Sequence, residues 1–132
     1  MKVSASIKNG YNQHEVVVKT DGSAKVLEIP SKPTGYGSSI NGAELLLLSL
    51  ATCFCNDIYR EAAKRNIKVT DVEVAFTSDF DSEGEPGSNF QYKANVVSDA
   101  PKSIIEELIR DTDKIAEIHN TLRKGVNITL AS

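Results

Sequence analysis

The sequence predicts an α+β chain, with antiparallel sheets arranged around one long central helix. Three observations carry this prediction. The eleven residues Leu45 to Cys55 (LLLLSLATCFC) are apolar around a full helical cylinder. Before them, three short strand-like runs are separated by Asn9-Gly10 and Asp21-Gly22, dipeptides that accept positive φ and favour hairpins. After them, two segments alternate apolar and polar residues on either side of a polar loop.

In chain order, strands are expected at Lys2–Lys8, Gln13–Thr20 and Ala24–Ile29, forming a meander. The loop Pro30–Ser39 (PSKPTGYGSS) reads as either a linker or a lid. The long helix spans Gly42–Arg65. Asn41 and Glu44 have capping-box spacing at its start, and Asn66 is suited to stop it. Within the apolar run, Ser49 and Thr52 can bond their hydroxyls to carbonyls one turn back. Beyond Cys55 the helix reads as amphipathic, with Ile58, Tyr59, Ala62 and Ala63 set against Asp57, Arg60, Glu61 and Lys64.

Val72, Val74 and Phe76 share one strand face, and Phe90, Tyr92, Ala94 and Val96 another, across the loop Asp81–Asn89. A second helix starts near Asp99-Ala100-Pro101, with Ser98 or Asp99 as cap and Pro101 in its first turn. Its apolar stripe is Ile104, Ile105, Leu108, Ile109, Thr112, Ile115 and Ala116. A helical turn, Asn120–Lys124, ends at Gly125, and Val126–Leu130 is expected as a final strand. No repeat or boundary divides the chain, so residues 1–132 read as one domain.

A net charge of −3, dispersed Lys and Arg, and 6% aromatic residues argue against nucleic-acid and membrane-surface partners. The apolar run is too short to span a bilayer, and the first ten residues lack a signal-peptide core. A soluble cytoplasmic protein is expected. A helix without a polar face has to be enclosed by protein. At 24 residues it would be about 36 Å long, against a radius of gyration near 14 Å for a chain of this size. Enclosure is easiest if a second copy contributes, so a homodimer is expected.

The only two cysteines, Cys53 and Cys55, lie at i and i+2 and point to opposite sides of the helix. Neither a mutual disulfide nor a metal site is expected, because His14 and His119 are far away in sequence. No cofactor is implied. Cys53 has two readings, a small apolar core residue or a reactive thiol.

Ala43-Glu44-Leu45-Leu46-Leu47-Leu48 leads to Ala51-Thr52-Cys53-Phe54. Glu61-Ala62-Ala63-Lys64, the strand Val69–Phe76, His119-Asn120-Thr121-Leu122 and Val126-Asn127-Ile128 follow. In this order the chain resembles the OsmC/Ohr superfamily of hydroperoxide-reducing proteins over nearly its whole length. The resemblance implies an OsmC-like fold and an intertwined homodimer. It also implies a mid-helix thiolate that attacks a peroxide and becomes a sulfenic acid, activated by an Arg and a Glu. A second cysteine near the C-terminus then closes a disulfide, which a dithiol reduces.

Cys53 matches the peroxide-attacking cysteine, but Ala116 stands where the resolving cysteine falls. Ala43 occupies the glutamate position, and no Arg precedes Arg60. Thiol chemistry would therefore rest on Cys53 as the catalytic residue, acting on an organic hydroperoxide or another small molecule with an external thiol reductant. Glu44, His119 and Arg60 are accessory candidates. Each also has a plain structural reading: a cap for Glu44, a surface residue for His119 and a solvated helix position for Arg60. The competing function is a catalytically inactive dimer that binds a small apolar ligand or is purely structural.

Overall fold

The computed structural model describes residues 1–131. Among these, the order is β1 (Val3–Gly10), β2 (Gln13–Thr20), β3 (Ser23–Leu27), α1 (Gly42–Lys64), β4 (Val69–Asp79), β5 (Ser88–Ser98), α2 (Lys102–Ile115) and α3 (Glu117–Lys124). The architecture is α+β with two antiparallel sheets, β1-β2-β3 and β4-β5. The chain forms two compact units, one covering Met1–Leu45 and one beginning at Leu46.

In the first unit, Thr20 pairs with Ser23 across Asp21-Gly22. Both turn residues take positive φ, 47° and 83°, as a type I′ hairpin requires. The first hairpin departs from expectation. Gly10 stays in β1 opposite Gln13, and the turn is Tyr11-Asn12, with Asn12 at φ 52°. An Asn tolerates that conformation, so the turn slides past the Asn-Gly pair. The Pro30–Ser39 loop folds back on itself through the bonds Ser39 N–H to Pro30 O (3.0 Å) and Gly35 N–H to Lys32 O (2.8 Å).

The start of α1 is a reciprocal capping box. The Glu44 amide donates to Asn41 Oδ1 at 2.8 Å, and the Asn41 amide donates to Glu44 Oε1 at 3.0 Å. At its other end Asn66 sits at φ 54° and stops the helix as its residue type predicts. Ser49 Oγ bonds to the Leu46 carbonyl at 2.6 Å, whereas Thr52 is exposed.

The second unit packs one stripe of α1 (Phe54, Ile58 and Ala62) with Ile105, Leu108 and Ala116. Val72, Val74, Tyr92, Ala94 and Val96 on the inner face of β4-β5 close over this cluster. Phe54, Ile58 and Leu108 are fully buried, each contributing about 1.5–3 kcal/mol through burial.

Within the apolar run of α1, only Leu50 and Phe54 of Leu45–Cys55 are buried, and Leu48 is 58% exposed. In the second unit β4-β5 and α2 meet a single stripe of the helix. Beyond Cys55, Ile58 and Ala62 of the predicted stripe are buried, but Tyr59 and Ala63 are not, and two charged residues take their place. Asp57 and Glu61 are buried, at 4% and 8% exposure, and Tyr59 is 43% exposed. Asp57 and Glu61 lie on the Phe54–Ile58 side of the cylinder, where their charges are met by Arg60 and Lys64.

Further along, α2 begins at Lys102 with Pro101 as N-cap and no side-chain cap. Ser98 instead accepts the Ala100 amide at 3.1 Å. In its predicted stripe, Ile104 and Ile115 are 38% and 42% exposed. α3 is longer than expected, starting at Glu117. Gly125 (φ 82°) closes it. Val126–Leu130 forms no strand, and Ile128 and Leu130 are 91% and 97% exposed. Its alternation is genuine, but a strand exists only where a neighbouring edge supplies hydrogen bonds, and none does so among the described residues.

Candidate functional site

Cys53 sits where α1 passes the start of α3. Its sulfur is half-buried and free of any disulfide. The thiol donates to Asp57 Oδ2, one turn further on, at 3.7 Å. The other oxygen of Asp57 is held by Arg60 Nη1 at 3.0 Å. Arg60 also reaches Glu61 at 3.3 Å, and Lys64 bonds to the same Glu61 oxygen at 2.9 Å. The spacing i, i+4, i+7 puts thiol, carboxylate and guanidinium along one side of the helix.

Burial is the largest influence on the Cys53 thiol and pushes its pKa up. The Ile118 backbone N–H opposes this, while the charges of Asp57 and Glu117 add to the rise. At neutral pH the group is therefore S–H rather than S⁻. Arg60 keeps its proton firmly through its bond to Glu61 and the charge of Asp57. The bond from Lys64 holds the Glu61 carboxyl below its usual range.

His119, expected at the surface, is instead 5% exposed at the start of α3. Its ring stacks on Phe54 (centroids 5.5 Å) and meets Tyr92 and Phe76 edge-on at 4.9 and 5.3 Å. A His inside a short amphipathic helix falls on the apolar side when its i−3 neighbour, here Ala116, is also buried. Neither ring nitrogen has a hydrogen-bond partner. Burial, then the charge of Arg123, lowers its pKa.

Behind it, Tyr92 donates its hydroxyl to Asp113, and Arg123 Nη2 bonds to Asp113 at 2.8 Å. Burial opposes ionisation of Asp113, but the bonds from Tyr92 and Arg123 outweigh it and hold the carboxyl below its usual range. Burial, then Asp113, pushes the Tyr92 phenol far up.

The structure thus joins Cys53 to Arg60 through Asp57, and sets His119 one residue from the amide facing the sulfur. Glu44 is occupied by the cap. Cys55 faces another surface, beside Asn56, Val72 and Val74. Asp57 was missed as a site residue because its helical period was read as solvent-facing. Its i+4 spacing from Cys53 was the available signal. Ala116, at the resolving-cysteine position, is fully buried. Among the described residues no group of three or more His, Cys, Asp or Glu is placed to hold a metal, and no helix is long and apolar enough to cross a membrane.

The sequence pattern of OsmC-like proteins matches residues 35–131. The chain belongs to the OsmC-like protein family. Solved structures of similar fold include an OsmC-like protein from Mycoplasma pneumoniae, 18% identical with TM-score 0.66, matching over 92% of this chain and 89% of that one. An organic hydroperoxide resistance protein OsmC from Legionella pneumophila is 21% identical with TM-score 0.62, over 93% and 90%. The organic hydroperoxide resistance protein OhrB of Bacillus subtilis is 19% identical with TM-score 0.55, over 96% and 94%. No curated protein matches the chain. These likenesses establish the OsmC-like fold.

Proposed function

We propose that this OsmC-like protein is a single-cysteine, thiol-dependent reductase of organic hydroperoxides. The observation that carries the reading is the S–H of Cys53 donating to an Asp57 whose far oxygen is tied to Arg60. The sulfur attacks the terminal oxygen of ROOH, a bond forms from sulfur to that oxygen, and the O–O bond breaks. The thiol proton passes to Asp57 and from there to the departing alkoxide, giving Cys53–SOH and ROH. An external thiol displaces water from the sulfenic acid. A second thiol, or the other arm of a dithiol, then releases Cys53–SH as the reductant leaves oxidised to its disulfide. With Ala116 where a resolving cysteine would stand, the electrons come from outside the chain.

The working form on this reading is a single-domain subunit of a homodimer. A second copy would cover the apolar groove of about 520 Å³ in the first unit, lined by Ile7, Val16, Val18, Leu27 and Leu45. It would also offer an edge to the exposed Ile128 and Leu130. Two free thiols suit a reducing compartment such as the cytoplasm. The test is consumption of cumene hydroperoxide in the presence of a dithiol, with Cys53→Ser and Cys55→Ser run alongside. Loss in the first and retention in the second are expected. Equal peroxide loss in wild type and Cys53→Ser removes the reductase reading. Sedimentation equilibrium of the wild type measures the dimer directly.

A further inference from the structure

Two consecutive contacts join α1 to the first turn of α3. Cys53 Sγ faces the backbone N–H of Ile118. One residue further along each element, Phe54 stacks on the ring of His119, with centroids 5.5 Å apart and planes 28° apart. Tyr92 and Phe76 close on the same ring edge-on at 4.9 and 5.3 Å. Phe54 is fully buried and His119 is 5% exposed, so aromatic packing fixes the ring on three sides. The polar bonds of α3 run the other way, to α2: Arg123 Nη2 to Asp113 at 2.8 Å, and Asn120 Nδ2 to the Lys114 carbonyl at 2.9 Å.

A sulfur that reacts as an anion needs a neighbour that favours negative charge. Arg60 is bonded to Asp57 and Glu61 instead. Burial, Asp57 and Glu117 favour the protonated thiol, and the Ile118 amide alone opposes them. That amide is free to do so. The first amides of a helix have no carbonyl one turn back and carry the positive end of its dipole. In α3 the first to find such a carbonyl is Asn120, on Ala116 at 2.9 Å. A hydrogen bond weakens steeply with distance and angle, so the turn that carries the Ile118 N–H has to be held against α1. The nitrogens of His119 are both buried and unpartnered, which leaves the ring to act through its faces and edges.

We propose that His119 is the positioning residue of the Cys53 site: packed against Phe54, Tyr92 and Phe76, its ring holds the first turn of α3 so that the Ile118 N–H meets the negative charge developing on the sulfur. This role rests on the reductase reading, in which that charge appears as the thiol proton leaves for Asp57.

The test is the rate of Cys53 alkylation by iodoacetamide from neutral to alkaline pH, in a Cys55→Ser background, with cumene hydroperoxide turnover measured alongside. A hydrogen bond to a charged group is worth about tenfold in an equilibrium. The greater nucleophilicity of a more basic thiolate returns roughly half of that on a logarithmic scale. His119→Ala should therefore alkylate about 3-fold more slowly at pH 7, with the midpoint of its pH profile moved up. His119→Phe keeps an aromatic ring in the box and should behave as the wild type in both assays. Ile118→Pro deletes the amide hydrogen in the first helical turn, where proline is accepted. It should match His119→Ala while the His119 ring signals in NMR stay in place, and it carries the test should the alanine variant fail to fold. A wild-type rate and midpoint in Ile118→Pro, or in a folded His119→Ala, overturns the proposal. Equal slowing in His119→Phe and His119→Ala overturns it too, because a ring nitrogen would then be acting. Alkylation involves no peroxide, so the two readings fail separately. A wild type that consumes no peroxide while both disruptive variants alkylate slowly removes the reductase and keeps the positioning role. Peroxide turnover with unchanged alkylation in those variants does the reverse.

Discussion

Asp57→Asn separates two roles that one carboxylate plays at Cys53. As a negative charge it opposes the thiolate. On the proposed reductase reading it is also the base that takes the proton leaving the sulfur. At 3.7 Å a unit charge is worth about 4 kcal/mol at an effective dielectric of 20 and about 1 kcal/mol in water. The thiol is only half-buried, and Arg60 lies 3.0 Å from the same carboxylate, offsetting much of its field. The lower value therefore applies. About 1 kcal/mol is somewhat under one pKa unit, so the Asn variant holds about fivefold more thiolate at pH 7. A less basic thiolate is also less nucleophilic, with a Brønsted slope of about 0.4–0.5, which returns roughly half of the logarithmic gain.

Iodoacetamide should then alkylate Cys53 about 2- to 3-fold faster in the variant than in wild type. The Cys55→Ser background isolates the signal. Hydroperoxide reduction should move the other way, falling on the order of 10²-fold as the proton carrier is lost. Arg60 is 45% exposed, so freeing it strands no buried charge, and the fold should hold by circular dichroism. The reasoning is refuted if peroxide reduction rises in parallel with alkylation, since Asp57 would then only be restraining the thiol. Slower alkylation in the variant would refute the electrostatic half.

Three further outcomes follow from the structure. Because the His119 pKa is lowered on folding, the unfolded chain takes up a proton as pH drops below about 6.5 while the folded chain does not. Urea midpoints should therefore fall with pH there, until the folded ring itself protonates, and His119→Phe should flatten that dependence. Leu108→Ala empties a fully buried core position and should cost about 2–5 kcal/mol in urea unfolding. A loss under about 1 kcal/mol would mean the core can collapse into the space. Glu44→Ala should remove about 1 kcal/mol of stability through the cap and leave hydroperoxide turnover unchanged. Lost turnover at full stability would make Glu44 the accessory residue for which it is a candidate.

Local chemistry determined much of this protein from its sequence. The capping box at Asn41 and Glu44, the type I′ turn at Asp21-Gly22, the stop at Asn66 and the alternation of β4 and β5 are rules of neighbouring residues, and they hold as read. The opposed directions of Cys53 and Cys55 follow from helix pitch alone.

Tertiary structure decided which side of a helix is inside, and whether a strand pattern finds a partner. Asp57 and Glu61 are charged, so their periodicity looked solvent-facing, yet Arg60 and Lys64 let them lie along the buried stripe. His119 turned inward because Phe54, Phe76 and Tyr92, distant in sequence, make an aromatic box for it. Val126–Leu130 has the right alternation but, among the described residues of one chain, no edge to join. Burial and hydrogen-bond pairing depend on residues brought together from afar, and no run of neighbours encodes them.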